Sequence, residues 1–135
     1  MNFIAKDVEM NKVIIRTEKA PAPIGPYSQA VRSGNMLFIS GQIPIDPATN
    51  ELVEGDTTSE TKQVMENLAA ILEAAGAGFE HVVKTSIFLS DMSLFATVNE
   101  VYGSYFTSDY PARETVAVKT LPKSVNVEIS MIASI

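Results

Sequence analysis

The sequence predicts an α+β domain, a mixed sheet with two helices on one of its faces in the order β-β-β-α-β-α-β-β. Three observations carry this expectation. Six short stretches are β-branched or alternate between apolar and polar residues, as strands do. Two longer stretches repeat apolar residues at helical spacing. Several strands are apolar on both faces, more than two helices on one side can cover.

The first strand is residues 12–16, Lys-Val-Ile-Ile-Arg. Pro21, Pro23, Gly25 and Pro26 then force an extended, turning segment. Residues 28–32 and 36–40 read as two strands joined at Ser33-Gly34-Asn35, and residues 41–55 as a loop rich in Pro, Gly, Asn and Asp. A helix starts near Thr57, with Thr57 and Glu60 in a capping-box pattern. Its face is Val64, Leu68, Ile71, Leu72 and Ala75, and Gly76 and Gly78 end it. Residues 81–89 form the next strand. Asp91 or Ser93 caps a second helix with Phe95, Val98, Tyr102 and Tyr105 on one face. Strands at 112–119 and 125–133 close the chain and read as an antiparallel hairpin through Leu121-Pro122-Lys123-Ser124. The uncovered apolar sheet face implies self-association.

Composition narrows the function. The 135 residues fit a single domain, 1–135, with 46% apolar and 19% charged residues and no cysteine. That excludes disulfides, thiolate metal sites and cysteine nucleophiles. Sixteen acidic against ten scattered basic residues leave a net charge of −6, which disfavours nucleic-acid binding. No signal-like head or apolar run near the roughly 20 residues of a membrane span occurs, so a cytoplasmic location is expected. One histidine, His81, makes a zinc site or a Ser-His-Asp triad untenable. Nothing calls for a metal or a cofactor.

The most informative residues lie in the last two strands. Alternation places Arg113 and Glu128 each on the less apolar face of its strand. An arginine fork suits a small carboxylate, and a nearby glutamate can activate water. On pattern alone the bland alternative is favoured, a surface or interface salt bridge worth roughly 0–1 kcal/mol if exposed. Tyr27, after the Pro-rich turn, offers a phenol, or is a half-buried aromatic pinned by Gly25-Pro26. Ser40 and Gly41 offer a hydroxyl and backbone groups at a strand end, or simply terminate it. Asn99, a poor residue for a helix interior, points to a tertiary hydrogen bond, or to plain helix surface.

Taken together, several runs resemble the RidA/YjgF family of reactive-intermediate deaminases. They are residues 22–30 (Ala-Pro-Ile-Gly-Pro-Tyr-Ser-Gln-Ala) and 40–44 (Ser-Gly-Gln-Ile-Pro), then Phe95-Ala96-Thr97-Val98-Asn99 with Val101-Tyr102. Pro111-Ala112-Arg113 and Leu121-Pro122-Lys123 leading into Val127-Glu128-Ile129 complete the set, across roughly residues 12–133. The resemblance implies a chorismate-mutase-like fold, a homotrimer, and sites in the clefts between subunits. It implies hydrolysis of 2-iminobutanoate, 2-iminopropanoate and their enamine tautomers to 2-oxo acids and ammonia, a form of metabolite damage control. It implies that Arg113 holds the carboxylate and Glu128 positions and activates water. Tyr27, Ser40 and Asn99 would line the pocket, with backbone groups near Gly41 and Thr115. Position 115 is threonine where some deaminases carry cysteine, and residues 1–9 extend beyond the usual family start. Two competing readings are a non-catalytic trimer binding small 2-oxo or amino acids, and a nuclease or translation inhibitor.

Overall fold

A computed structural model describes residues 12–135. The expected extension at residues 1–9 lies outside them. The chain runs β1 (Lys12–Ile15), β2 (Ala30–Ser33), β3 (Met36–Gln42), β4 (Ile45–Asp46), β5 (Glu51–Leu52) and α1 (Thr57–Ala74). It continues through β6 (Val82–Leu89), α2 (Phe95–Gly103), β7 (Ala112–Ala117) and β8 (Val127–Ser134). A six-stranded sheet has the order β1-β2-β3-β8-β6-β7, antiparallel except for the parallel pair β6–β7. The small ribbon β4–β5 lies inside the segment expected to be a plain loop.

Both helices pack on one sheet face, as the periodicities require. Leu37 and Ile39 of β3, Val127, Ile129 and Met131 of β8, and Ile87 and Leu89 of β6 meet Val64, Leu68, Ile71 and Leu72 of α1 in one core. Truncating such a fully buried leucine or isoleucine costs about 2–5 kcal/mol. The other face carries Ile14, Val31, Phe38 and Ile132 in one register row and Phe88 beside Val116 farther along, and among the described residues no helix covers it. Phe38 is 46% exposed and Val116 43%.

Two expectations are corrected. The closing hairpin does not form, because β6 lies between β7 and β8. A strand, a helix and a strand in succession favour a parallel crossover, and β6-α2-β7 takes that path. The capping box of Thr57 and Glu60 is also absent. Asp56 is the N-cap, its carboxylate accepting from the Ser59 N–H at 2.9 Å, and that bond lowers its pKa. Glu60 turns inward and accepts from Asn126 Nδ2 at 2.9 Å. The C-terminal signal holds: Gly76 takes φ +75°, and the Ala77 and Gly76 N–H groups donate to Leu72 and Glu73 carbonyls.

Candidate active site

Ser40 and Gly41 form a bulge where the β3–β8 register shifts between Ile39 and Gln42. The Ser40 N–H donates to the Gln29 carbonyl at 2.9 Å, and its hydroxyl donates to the Ser28 carbonyl at 2.6 Å. With its proton committed, Ser40 Oγ has only its lone pairs left to offer, as an acceptor. Across the bulge lies Glu128. A Cβ on residue 41 would stand 2.9 Å from Glu128 Cδ and 3.0 Å from Cγ, closer still to the carboxylate oxygen. Only glycine lets the carboxylate lie over the backbone there.

Glu128 shares a cavity of about 320 Å³ with Tyr27, Ser40, Gly41, Pro21 and Pro122. Burial raises its carboxyl pKa above the ordinary 4.5. The Tyr27 hydroxyl accepts the Ile24 N–H at 3.1 Å, which leaves its own proton available to donate. Substituting Gly41→Ala should keep the fold, since the flexible Glu128 end can move aside. It should displace the carboxylate and lower the rate of any reaction that uses it. Thermal melting alongside the rate checks this.

Arg113 sits elsewhere. It is opposite Thr85 on β6, on the helix-covered face, whereas Glu128 is opposite Phe88 on the uncovered face. Two strand spacings of about 4.8 Å and three residues of about 3.3 Å put their Cα atoms about 14 Å apart. The expectation that alternation puts them together is corrected. The helix-facing side of β7 is polar because β7 is an edge strand, at the margin of what α2 covers. The intrachain salt bridge is absent too: among the described residues the ion pairs are Lys84–Glu114 and His81–Glu80.

The Arg113 side chain is oriented in a specific way. Its Nη1 donates to Asn99 Oδ1 at 2.6 Å, the tertiary hydrogen bond that the mid-helix asparagine led us to expect. Its guanidinium lies 5.2 Å from the Tyr102 ring centre and 5.6 Å from that of Phe95. Tyr102 is anchored in turn by donating to Thr85 Oγ1 at 3.0 Å, and burial raises its pKa. A second cavity joins Arg113 and Asn99 with Tyr102, Tyr110 and Pro111. Thr115 follows on the same face, its Oγ1 buried without a hydrogen-bond partner among the described residues.

The structure therefore gathers Tyr27, Ser40, Gly41 and Glu128 into one group, and Asn99 and Arg113 into another on the opposite face. Sequence reasoning missed two buried amides near the first group. Gln29 ties down the 17–21 segment, and Asn67 donates to the Ile43 and Ile45 carbonyls at 3.3 and 2.9 Å. Asn67 carried the same signal as Asn99, an asparagine in a helix interior. Among the described residues no helix is long and apolar enough to cross a membrane, and no cluster of three metal-ligating side chains occurs.

Comparison with known proteins gives these groups a setting. The sequence profile of the family described as Endoribonuclease L-PSP matches residues 17–135. A RutC family protein of Pyrococcus horikoshii is 57% identical over 122 residues, covering 90% of this chain and 97% of that one. The 2-iminobutanoate/2-iminopropanoate deaminase of Mus musculus is 50% identical over 120 residues, covering 89% of each chain. The crystal structure of E. coli TdcF with bound serine superposes with a TM-score of 0.88 at 43% identity, covering 92% of this chain and 99% of that one. The two-helix mixed α+β fold, the profile match and the half-identical relatives agree, and the chain belongs to the RidA/YjgF (Endoribonuclease L-PSP) family.

Proposed function

We propose that the protein hydrolyses short 2-imino acids, 2-iminobutanoate and 2-iminopropanoate with their enamine tautomers, to 2-oxo acids and ammonia. It does so as a homotrimer, with each site in a cleft between two subunits. The observation that carries this is the division of the site residues. Arg113 and Glu128, which this reading makes the carboxylate anchor and the water activator, lie on opposite faces of one sheet, each lining a separate cavity. Copies in a closed ring can join the Arg113 half of one to the Glu128 half of the next. The uncovered apolar face of the sheet supports the same assembly. The half-identical mouse relative bears the name of this activity.

In this reading Arg113, held by Asn99, grips the substrate carboxylate through its remaining N–H groups. Glu128 takes a proton from water as the water oxygen bonds to the electrophilic carbon of the protonated imine, which gives a neutral carbinolamine. Proton return from Glu128 to the carbinolamine nitrogen makes ammonia the leaving group, and the regenerated carboxylate takes the hydroxyl proton as the C–N bond breaks and the C=O bond forms. Ammonia leaves and the 2-oxo acid remains. Ser40 Oγ accepts the substrate N–H, and Tyr27 donates to an oxygen of the adduct. Positioning supplies much of the acceleration, because the imine carbon is already reactive. The chain's own residues provide every group this sequence of steps uses.

A second reading, a non-catalytic trimer that binds small 2-oxo or amino acids in the same clefts, is favoured by the serine bound in the E. coli relative. The net charge of −6 weighs against an RNA substrate. A threonine dehydratase generating the imine in situ tests the first reading. The protein should speed 2-oxo acid release, and a folded, assembled protein that gives no acceleration would leave the binder.

A further inference from the structure

We propose that the buried side-chain amide of Gln29 is a positioning residue that holds the 17–21 strap, and with it Tyr27, closed over Glu128. The proposal rests on the reading of Glu128 given above. The strap runs between β1 and β2 and belongs to neither strand, so its backbone groups need partners from elsewhere. Gln29 supplies them while only 3% exposed. Its Oε1 accepts the Thr17 N–H at 2.7 Å. Its Nε2 donates to the carbonyls of Pro21 at 2.9 Å, Thr17 at 3.0 Å and Ala20 at 3.3 Å.

The same residue reaches the other wall. Its carbonyl accepts the Ser40 N–H at 2.9 Å, beside the bulge over which the Glu128 carboxylate lies. Gln29 thus joins the strap, the segment bearing Tyr27 and the Ser40-Gly41 bulge, three parts of the wall around one carboxylate. The task needs an amide, because donor and acceptor are required from one side chain. Glutamate offers no donor when ionised, and methionine offers no donor and only a weak acceptor.

The strap bears on Glu128 through exclusion of water. The strap, the bulge, the Ile43–Ile45 segment and Pro122 line the cavity, and Tyr27 is the one titratable side chain among its described lining apart from Glu128 itself. On the sheet, Glu128 is flanked across the strands by Phe88 and Val116, neither charged. Among the described residues of its own chain no cation or anion perturbs this carboxyl, and burial alone raises its pKa. Loosening the strap admits water and lets the carboxyl return towards its ordinary value.

The experiment compares wild type with Gln29→Met and Gln29→Glu in the assembled protein. It measures the Glu128 carboxyl titration by NMR, hydrogen exchange at the Thr17 amide, and kcat and KM for the imine. In Gln29→Met the Glu128 pKa should fall, and in both variants Thr17 should exchange about tenfold faster or more. The rate constant kcat should drop about tenfold while KM changes little, because Arg113 is untouched. Folded variants with an unmoved Glu128 titration and a protected Thr17 amide would overturn the proposal. Should neither variant fold, the wild type decides: a Thr17 amide exchanging as fast as an exposed loop amide overturns it, and a protected one supports it. An inactive wild type would sink the deaminase reading alone, since titration and exchange need no turnover.

Discussion

Replacing Arg113 by alanine should lower kcat/KM for a 2-imino acid by about 10²–10³-fold while leaving the fold and the assembly intact. Arg113 is on an edge strand, partly buried, and stacks beside Tyr102 and Phe95 rather than inside the main core. Its removal costs little packing, so stability should change modestly. The large effect comes from the ligand. A carboxylate drawn into the cleft loses its water, and without the guanidinium it sits there uncompensated, a cost of about 2–5 kcal/mol. KM should rise, and binding of 2-oxo acid products should weaken with it. Asn99→Ala should reproduce a fraction of this loss, since Asn99 orients the fork through one hydrogen bond. Steady-state kinetics together with product-binding calorimetry check both.

Glu128→Gln should divide the effects differently. Turnover should fall by about 10²–10⁴-fold, the usual contribution of a positioned general base. Ligand affinity should hold, because glutamine keeps the shape of the residue packed over Gly41. The pH profile carries a further sign. Burial raises the Glu128 pKa, so the active, ionised form is present above that raised value and is lost as pH falls through it. The acid limb of kcat/KM should therefore sit at higher pH than an exposed glutamate would place it, and Glu128→Gln should erase that limb. A variant that keeps wild-type turnover would remove Glu128 from the mechanism. One that loses ligand affinity as severely as turnover would make it a binding residue.

The elements themselves were legible in the sequence wherever their signals were local. Alternation in 36–40 and 81–89, the 3.6 period of α1 and the stop at Gly76 each depend on a few neighbouring residues, and each is found in the structure. Strand order was less legible. The apolar alternation of β7 and β8 is the same whether they pair directly or have β6 between them. The decisive cue, a helix separating β6 from β7, concerns connectivity rather than pattern. The error mattered, because it put Arg113 and Glu128 on one face. Gln29 and Asn67 were missed for another reason. An amide reads as polar in a sequence, and only the fold reveals that its partners are the carbonyls of an irregular segment. The two-faced sheet, by contrast, was evident from Leu37 against Phe38 and from Ile87 against Phe88, and it anticipates a site completed by a second copy.

That completion is the central claim, and subunit mixing tests it most directly. Arg113→Ala and Glu128→Gln, each inactive alone, would be dissociated, mixed in equal amounts and reassembled. If each site takes Arg113 from one subunit and Glu128 from its neighbour, random assembly restores about a quarter of wild-type sites. Activity should return to about that level on mixing and should be absent when either variant is reassembled alone. Mixed assemblies, verified by mass, that stay as inactive as their parents would contradict a site shared between subunits.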